Sequence, residues 1–203
     1  MWMEIYDRAN NPKEFDINLP PKTDLEMRLV VWQTREIPMM DIEETSDVYI
    51  SAFVDTKNAQ TTDTHFRCTN GEASFNWRIV EKIQYDPKSG NTNLSIQVYD
   101  KDIFAPDDYI CSSNLNIKKF LQEIYELDLP FTLDNKKYAR ILSNCTEEEK
   151  KMLNDMIEWE SSSENDWETK FWVKCFRQDD KGNMVKCGAV LISLEILPMW
   201  KAD

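Results

Sequence analysis

The sequence predicts an all-β protein, an eight-stranded antiparallel Greek-key β-sandwich with a helical insertion late in the chain. Short segments rich in β-branched and aromatic residues recur roughly every 10–16 residues, which is the spacing of strands in such a sandwich. The first strong segment, Leu25–Trp32, alternates apolar and polar side chains as a half-buried strand does. Only residues 147–160 show a clear helical periodicity instead.

The strands before the insertion follow from this alternation and from the turn residues between them. The polar residues 1–22 are predicted to be a lead-in with one short strand at Trp2–Tyr6. Turn signals at Asn70-Gly71 and at 86–90 separate later strands. The main predicted strands are, in chain order, Leu25–Trp32, Val48–Val54, Asp63–Arg67, Ser74–Val80, Leu94–Tyr99 and Tyr109–Ile117.

Residues 118–168 interrupt the strand pattern, and they are predicted to form an acidic, partly helical insertion. Its first part, from Ile117 to Leu127, is compatible with a helical turn. Thr146 followed by Glu149 has the spacing of a capping box, which predicts that a helix over 147–160 begins there. Residues 142–168 contain nine acidic residues and two lysines, so this region holds −7 of the net charge.

Two further strands are predicted after the insertion. They are Lys170–Gln178 and Gly188–Leu197, joined by a turn at 180–183. The chain has 203 residues, which is within the size range of one large domain. We therefore expect a single domain over 1–203.

Composition excludes several classes of function. A net charge of −13, from 37 acidic and 24 basic residues, disfavours binding to nucleic acid but attracts metal cations. Five cysteines without a CxxC pair predict reduced thiols, and one histidine leaves little for a zinc site or a catalytic triad. No motif of a known catalytic site is present, so we expect no enzyme. No apolar run approaches ~18 residues, so we expect no membrane-spanning helix.

Five aspartates in two loops predict a calcium site. Two of them bracket the loop between the first and second strands, and three occupy the loop after the strand Leu94–Tyr99. The five are Asp41, Asp47, Asp100, Asp102 and Asp108. Carboxylates are the ligands that Ca²⁺ prefers, and a cluster of five would repel itself severely without cations, so two or more ions are expected. The alternative is that each aspartate simply forms a turn. Asp107 is interpreted as a solvated neighbour of the ligands.

Apolar side chains lie between these aspartates in both loops. They are Met39, Met40 and Ile42 in the first loop and Ile103 and Phe104 in the second. Exposing apolar side chains to water at a loop tip is unfavourable. These residues are therefore expected either to fold back onto the sandwich or to insert into a membrane.

At these residues the sequence resembles the C2 domain family. The segments PMMD…SDVYI and LSIQVYDKDIFAPDDYI look like the two calcium-loop motifs of that family. A narrower resemblance links TDTHFRCTNGEASFNWR and KFWVKCFRQDDKGNMVKCGAVLISLEIL to the C-terminal C2 domains of ferlins. One departure is Cys111, at a position where the family usually has glycine. A full closing strand suits the permuted, type II strand order of ferlin C2 domains.

The resemblance implies a module that binds anionic phospholipid membranes when calcium is present. Ferlins are tail-anchored proteins of vesicle fusion and membrane repair, so the expected location is the cytoplasmic face of a membrane. Fusion-machinery proteins or other domains of the same chain are further expected partners. The alternative is a calcium-independent protein-interaction module that uses the acidic helical insertion.

Overall fold

The computed structural model describes residues 21–40, 45–88, 92–159 and 168–202. Its strands are β1 Thr23–Arg35, β2 Ser46–Phe53, β3 Gln60–Thr61, β4 His65–Cys68, β5 Ser74–Tyr85, β6 Asn93–Asp100, β7 Asp108–Asn116, β8 Phe131–Thr132, β9 Ile157–Trp159, β10 Phe171–Gln178 and β11 Met184–Pro198. Its α-helices are α1 Lys118–Leu127, α2 Asn135–Ser143 and α3 Glu147–Met156. The strand predicted at Trp2–Tyr6 lies outside the described residues.

The eight main strands form one antiparallel path in the order β3-β2-β6-β7-β10-β11-β1-β5, which confirms the predicted fold class. Pairing between β7 and β10 narrows to a single residue pair, Phe176 with Ser112. The path folds over at that point, so β3-β2-β6-β7 forms one layer of the sandwich and β10-β11-β1-β5 forms the other. The short strands β4, β8 and β9 pair with β2, β11 and β10, respectively.

Strand β1 illustrates how alternation places the core. Leu25, Met27, Leu29 and Val31 are completely buried, and the residues between them point to the outer face. The closing strand β11 pairs with β1 from Leu25 opposite Pro198 to Arg35 opposite Ala189. The last strand therefore inserts beside the first one, as the permuted order requires.

The described part of the insertion, residues 118–159 and 168, contains three α-helices where the sequence predicted one helix and a helical turn. The predicted capping box is present: the Thr146 hydroxyl accepts from the Glu149 N–H, and the Glu149 carboxylate accepts from the Thr146 N–H. The predicted end of this helix at residue 160 is wrong. The helix stops at Met156, because Ile157–Trp159 leave it to pair with β10 as β9.

These helices pack on the sandwich and share its core. Their apolar side chains belong to the same buried cluster as the strands, and the most buried are Phe120, Leu121, Ile124, Tyr138, Ile141 and Leu153. All five cysteines are free thiols, and four of them are buried.

Candidate functional site

Three strand ends bring predicted ligands together at one end of the sandwich. In the β2–β6 pair Val48 lies opposite Asp100, so Asp47 is next to that position. In the β6–β7 pair Asp100 lies directly opposite Asp108. The register of these strands thus places Asp47, Asp100 and Asp108 at neighbouring positions.

Asp47 and Asp100 are in direct contact and are held by backbone donors. The Asp47 N–H donates to Asp100 Oδ1 over 2.6 Å, and the Asp100 side chain is almost fully buried. The Arg67 N–H donates to Asp47 Oδ1 over 2.7 Å. The Lys101 N–H donates to the Asp47 carbonyl oxygen over 2.8 Å, which fixes the exit of β6 against the start of β2. These backbone hydrogen bonds fix the position of one oxygen of each carboxylate.

The other predicted ligands are placed less completely. Within the described ranges, the carboxylates of Asp102 and Asp108 have no hydrogen-bond or ion-pair partner. Asp41 and Ile42 lie outside the described residues. In the described part of the chain, no three acidic, histidine or cysteine side chains are close enough together to hold a metal ion. The donor set at this end nevertheless consists of carboxylate oxygens, which fits a hard cation such as Ca²⁺ better than a metal that prefers nitrogen or sulfur.

Asp107 has a different role from the one interpreted from the sequence. It accepts hydrogen bonds from the Tyr49 hydroxyl over 2.7 Å and from the Asp102 N–H over 3.2 Å, and it pairs with Lys101 Nζ at 3.4 Å. The hydrogen bond from Tyr49 is the main cause that lowers the pKa of Asp107. Asp107 therefore clamps the second aspartate loop to β2 and is not merely a solvated neighbour. Successive residues at a strand entry point to opposite sides, which is the signal that distinguishes Asp107 from Asp108.

Removing the Tyr49 hydroxyl tests this clamp. Tyr49→Phe is expected to raise the pKa of Asp107, because it removes the donor that most favours the ionised carboxylate. A lowered pKa stabilises the fold above the unfolded pKa, and this contribution is lost as the pH falls through the folded value. In the variant, the contribution of the remaining contacts of Asp107 should therefore be smaller and should be lost at a higher pH. Titration of the Asp107 carboxyl by carbon NMR measures the shift. Tyr99→Phe is the control, because the Tyr99 hydroxyl bonds Gln97; an unchanged Asp107 titration in Tyr49→Phe would contradict the clamp.

The apolar tips of the two loops differ in exposure. Ile103 is 82% exposed and Phe104 is 100% exposed, so the second loop presents two large apolar side chains to solvent. Met39 and Met40 are half-buried and pack against the core cluster. The Met40 N–H also donates to Ser46 Oγ over 2.8 Å, which ties this loop back to β2.

No helix in the described ranges has the length and apolar character needed to cross a bilayer.

The acidic strand ends and the loop between β6 and β7 lie in a stretch that matches a protein-family model. The model describes the C2 domain and matches residues 25–133, which is more than half of the chain. The chain belongs to the C2 domain family. The match spans β1 to β8, so the aspartates from Asp41 to Asp108 all fall within it.

Curated relatives of this C2 domain are ferlins, which confirms the resemblance found in the sequence. Human myoferlin is 27% identical over 231 residues that include all of this chain and 11% of the myoferlin chain. Ferlin 2 of Toxoplasma gondii is 29% identical over 134 residues, which are 61% of this chain and 9% of that protein. The chain therefore spans about a tenth of the length of these relatives. Among solved structures, a C2 domain of a plant extended synaptotagmin 1 aligns with a TM-score of 0.48 at 12% identity, over 86% of this chain and 95% of that one.

The departure at Cys111 leaves the aspartates in place. Cys111 is fully buried on β7 opposite Val98, and the β6–β7 register shifts at the next position, between Val98 and Tyr99. Contact with the Cys175 thiol raises the pKa of Cys111, so its thiol stays protonated. The register recovers at Tyr109, and Asp100 and Asp108 still face each other.

Proposed function

We propose that this C2 domain binds anionic phospholipid membranes in response to calcium, as a module of a ferlin-like, tail-anchored protein of vesicle fusion or membrane repair. The observation that carries the proposal is a buried carboxylate at the base of a loop with a fully exposed tip. Asp100 accepts a hydrogen bond from the Asp47 N–H at the base of the loop, and Phe104 is at its tip. The ferlin relatives of the chain support the same assignment.

Calcium would act on this site through charge. Two carboxylates about 4 Å apart repel by roughly 4 kcal/mol at an effective dielectric of 20, so collecting Asp41, Asp47, Asp100, Asp102 and Asp108 requires compensating positive charge. Without cations, this acidic end also repels anionic lipid, because the whole chain carries −13. Two or more calcium ions would remove both penalties and could share their remaining coordination positions with lipid phosphate.

The exposed loop tip would supply the apolar part of the binding free energy. Burying a large apolar side chain contributes roughly 1.5–3 kcal/mol, and Phe104 and Ile103 have most of their surface available for this. Met39, Met40 and Ile42 are proposed to contact the membrane as well. Because the first two are already half-buried, we expect a smaller contribution from them than from the second loop.

Removing the exposed aromatic ring tests the proposal. Phe104→Ser is expected to weaken calcium-dependent binding to phosphatidylserine-containing vesicles by about ten-fold or more, because it deletes one fully exposed ring from the contact. Co-sedimentation with and without calcium measures the effect. Met152→Ser is the matched control, because Met152 is 57% exposed on α3, away from the aspartates. Equal pelleting of Phe104→Ser and the wild type would contradict membrane insertion of this loop.

A calcium-independent protein-interaction module is the second candidate. Its supporting observation is a group of exposed apolar residues on or beside the acidic helical segment, namely Leu127, Leu129 and Met152, each more than half exposed. Deleting the segment would not test this idea cleanly, because Leu153 and Ile157 belong to the core. A wild-type domain that neither binds calcium nor pellets with vesicles would favour this candidate over the first.

A further inference from the structure

The β10–β11 hairpin lies between the two aspartate loops. Strand β10 is the neighbour of β7, the strand that the second loop enters, through the pair Phe176 and Ser112. Strand β11 is the neighbour of β1, the strand that the first loop leaves, and Arg35 at its end pairs with Ala189. The strand order therefore requires that the hairpin tip, residues 179–183, projects at the same end of the sandwich, between both loops.

The hairpin is closed by its own hydrogen bonds. Asp179 Oδ1 accepts from the N–H groups of Lys181 and Asn183, at 2.9 and 2.7 Å. Gly182 has a φ of +86°, a left-handed conformation that glycine adopts without strain, and its N–H donates to the Asp179 carbonyl oxygen. These backbone donors lower the pKa of Asp179. Asp179 is thus occupied in shaping a turn, and the hairpin has its form without a cation.

Two apolar side chains are exposed at the start of β11. Met184 is 67% exposed and Val185 is 49% exposed, and they pair with Gln178 and Arg177 across the hairpin. The segment from Arg177 to Lys186 has three basic and two acidic residues, so it is net positive in a chain that is net −13. Exposed apolar side chains flanked by cations are complementary to the boundary between anionic lipid headgroups and acyl chains.

Contacts with the first loop hold the hairpin in position. Lys186 Nζ pairs with the Glu36 carboxylate at 3.2 Å, and Arg177 Nη1 lies 3.8 Å from Met40 Sδ. A cleft of about 450 Å³ is lined by residues of both segments, among them Pro38 and Val185. A surface that both aspartate loops touch would therefore also meet the hairpin.

We propose that the β10–β11 hairpin is a further membrane-contacting element, which inserts Met184 and Val185 beside the calcium loops and places Arg177 and Lys181 at the level of lipid phosphates. This inference rests on the proposed membrane function and names an additional part of the docking surface. Asp179 is already committed to the turn, so we expect the contribution of the hairpin to depend on the lipid and not on the ion.

The double variant Met184→Ser with Val185→Ser tests this inference. We expect it to bind phosphatidylserine-containing vesicles roughly ten-fold more weakly than the wild type at saturating calcium, because two partly exposed apolar side chains leave the contact. Its thermal stabilisation by calcium should be unchanged, since the aspartates are intact. Met152→Ser is again the control for an exposed apolar residue elsewhere. Hydrogen exchange gives a second readout on the unmodified protein: vesicles should slow exchange of the amides over 179–185.

The outcomes separate the two proposals. If the hairpin variant binds vesicles as the wild type does and residues 179–185 gain no protection, while Phe104→Ser is impaired, the hairpin proposal is overturned and the calcium-loop proposal stands. If the wild type does not bind vesicles at any calcium concentration, both are overturned. Weakened binding with an unchanged calcium response and a normal melting curve supports the hairpin as a contact.

Discussion

Calcium is expected to raise the melting temperature of the wild-type domain by roughly 5–10 °C at a free concentration of one hundred times its dissociation constant. At that ratio a ligand specific for the native state adds about 2.7 kcal/mol to the free energy of unfolding. In a domain of this size each kcal/mol shifts the melting temperature by roughly 2–4 °C. Asp100→Asn combined with Asp102→Asn should abolish the shift, because it removes the charge of two of the proposed calcium ligands. Thermal scans with calcium and with a chelator measure both.

The double variant should fold normally, which makes its lost response interpretable. Asparagine keeps an acceptor oxygen for the Asp47 N–H, and it relieves repulsion between carboxylates in the absence of calcium. Glu148→Gln combined with Asp155→Asn is the matched control, because it changes the net charge equally at two exposed positions on α3. If calcium raised the melting temperature of the Asp100→Asn, Asp102→Asn variant as much as that of the wild type, these two residues would not be calcium ligands.

The strands of the sandwich are predictable from the sequence because burial of one face imposes alternation. In β1 every second residue from Leu25 to Val31 is completely buried. The alternation of apolar and polar residues in the sequence is sufficient to predict this. The closing strand β11 is a run of largely apolar residues bounded by a turn, and it too is predictable. The pairing of β9 with β10 is not, because Ile157 and Trp159 continue the apolar pattern of the preceding helix and only the tertiary position of β10 decides between helix and strand.

The helix α2 was not predicted, because its sequence is too short to show a clear helical periodicity. Its N-cap is Asp134, whose carboxylate accepts from the Lys137 N–H, and its apolar face consists of Tyr138, Ile141 and Leu142. These three residues have the i, i+3, i+4 spacing of a helix, but a single repeat of that spacing in nine residues does not separate a helix from a short buried strand. The stabilisation of such a helix comes from packing on the sandwich, which the local sequence does not encode.

The candidate site was only partly predictable for a related reason. Spacing identifies Asp47, Asp100 and Asp108 as loop residues, but the β2–β6 and β6–β7 registers decide which of them meet. The clamp from Tyr49 to Asp107 joins β2 to the second aspartate loop across 58 residues of sequence, so it depends on those registers as well. Long-range pairing of this kind is a property of the fold and not of any local pattern.

The largest loss of stability is expected from Phe120→Ala, with a cost of about 3–5 kcal/mol in the free energy of unfolding. Phe120 is completely buried in α1, and its ring stacks on Phe131 with centroids 5.6 Å apart. Phe131 in β8 pairs with Ile196 of β11, the strand that also holds β1 and the hairpin. The helical insertion is therefore coupled to the strands that position the aspartate loops.

This coupling predicts one unfolding transition for the whole domain. Phe120→Ala should lower the melting temperature by about 10 °C when near-ultraviolet and far-ultraviolet circular dichroism are followed together, and the two signals should stay coincident. Leu127→Ala is the control in the same helix, because Leu127 is 54% exposed and should change stability little. Two separate unfolding transitions, with the melting temperature of the strands unchanged, would instead mean that the helices unfold independently of the sandwich. A single shifted transition would support one domain in which the acidic insertion and the strands that carry the aspartates unfold together.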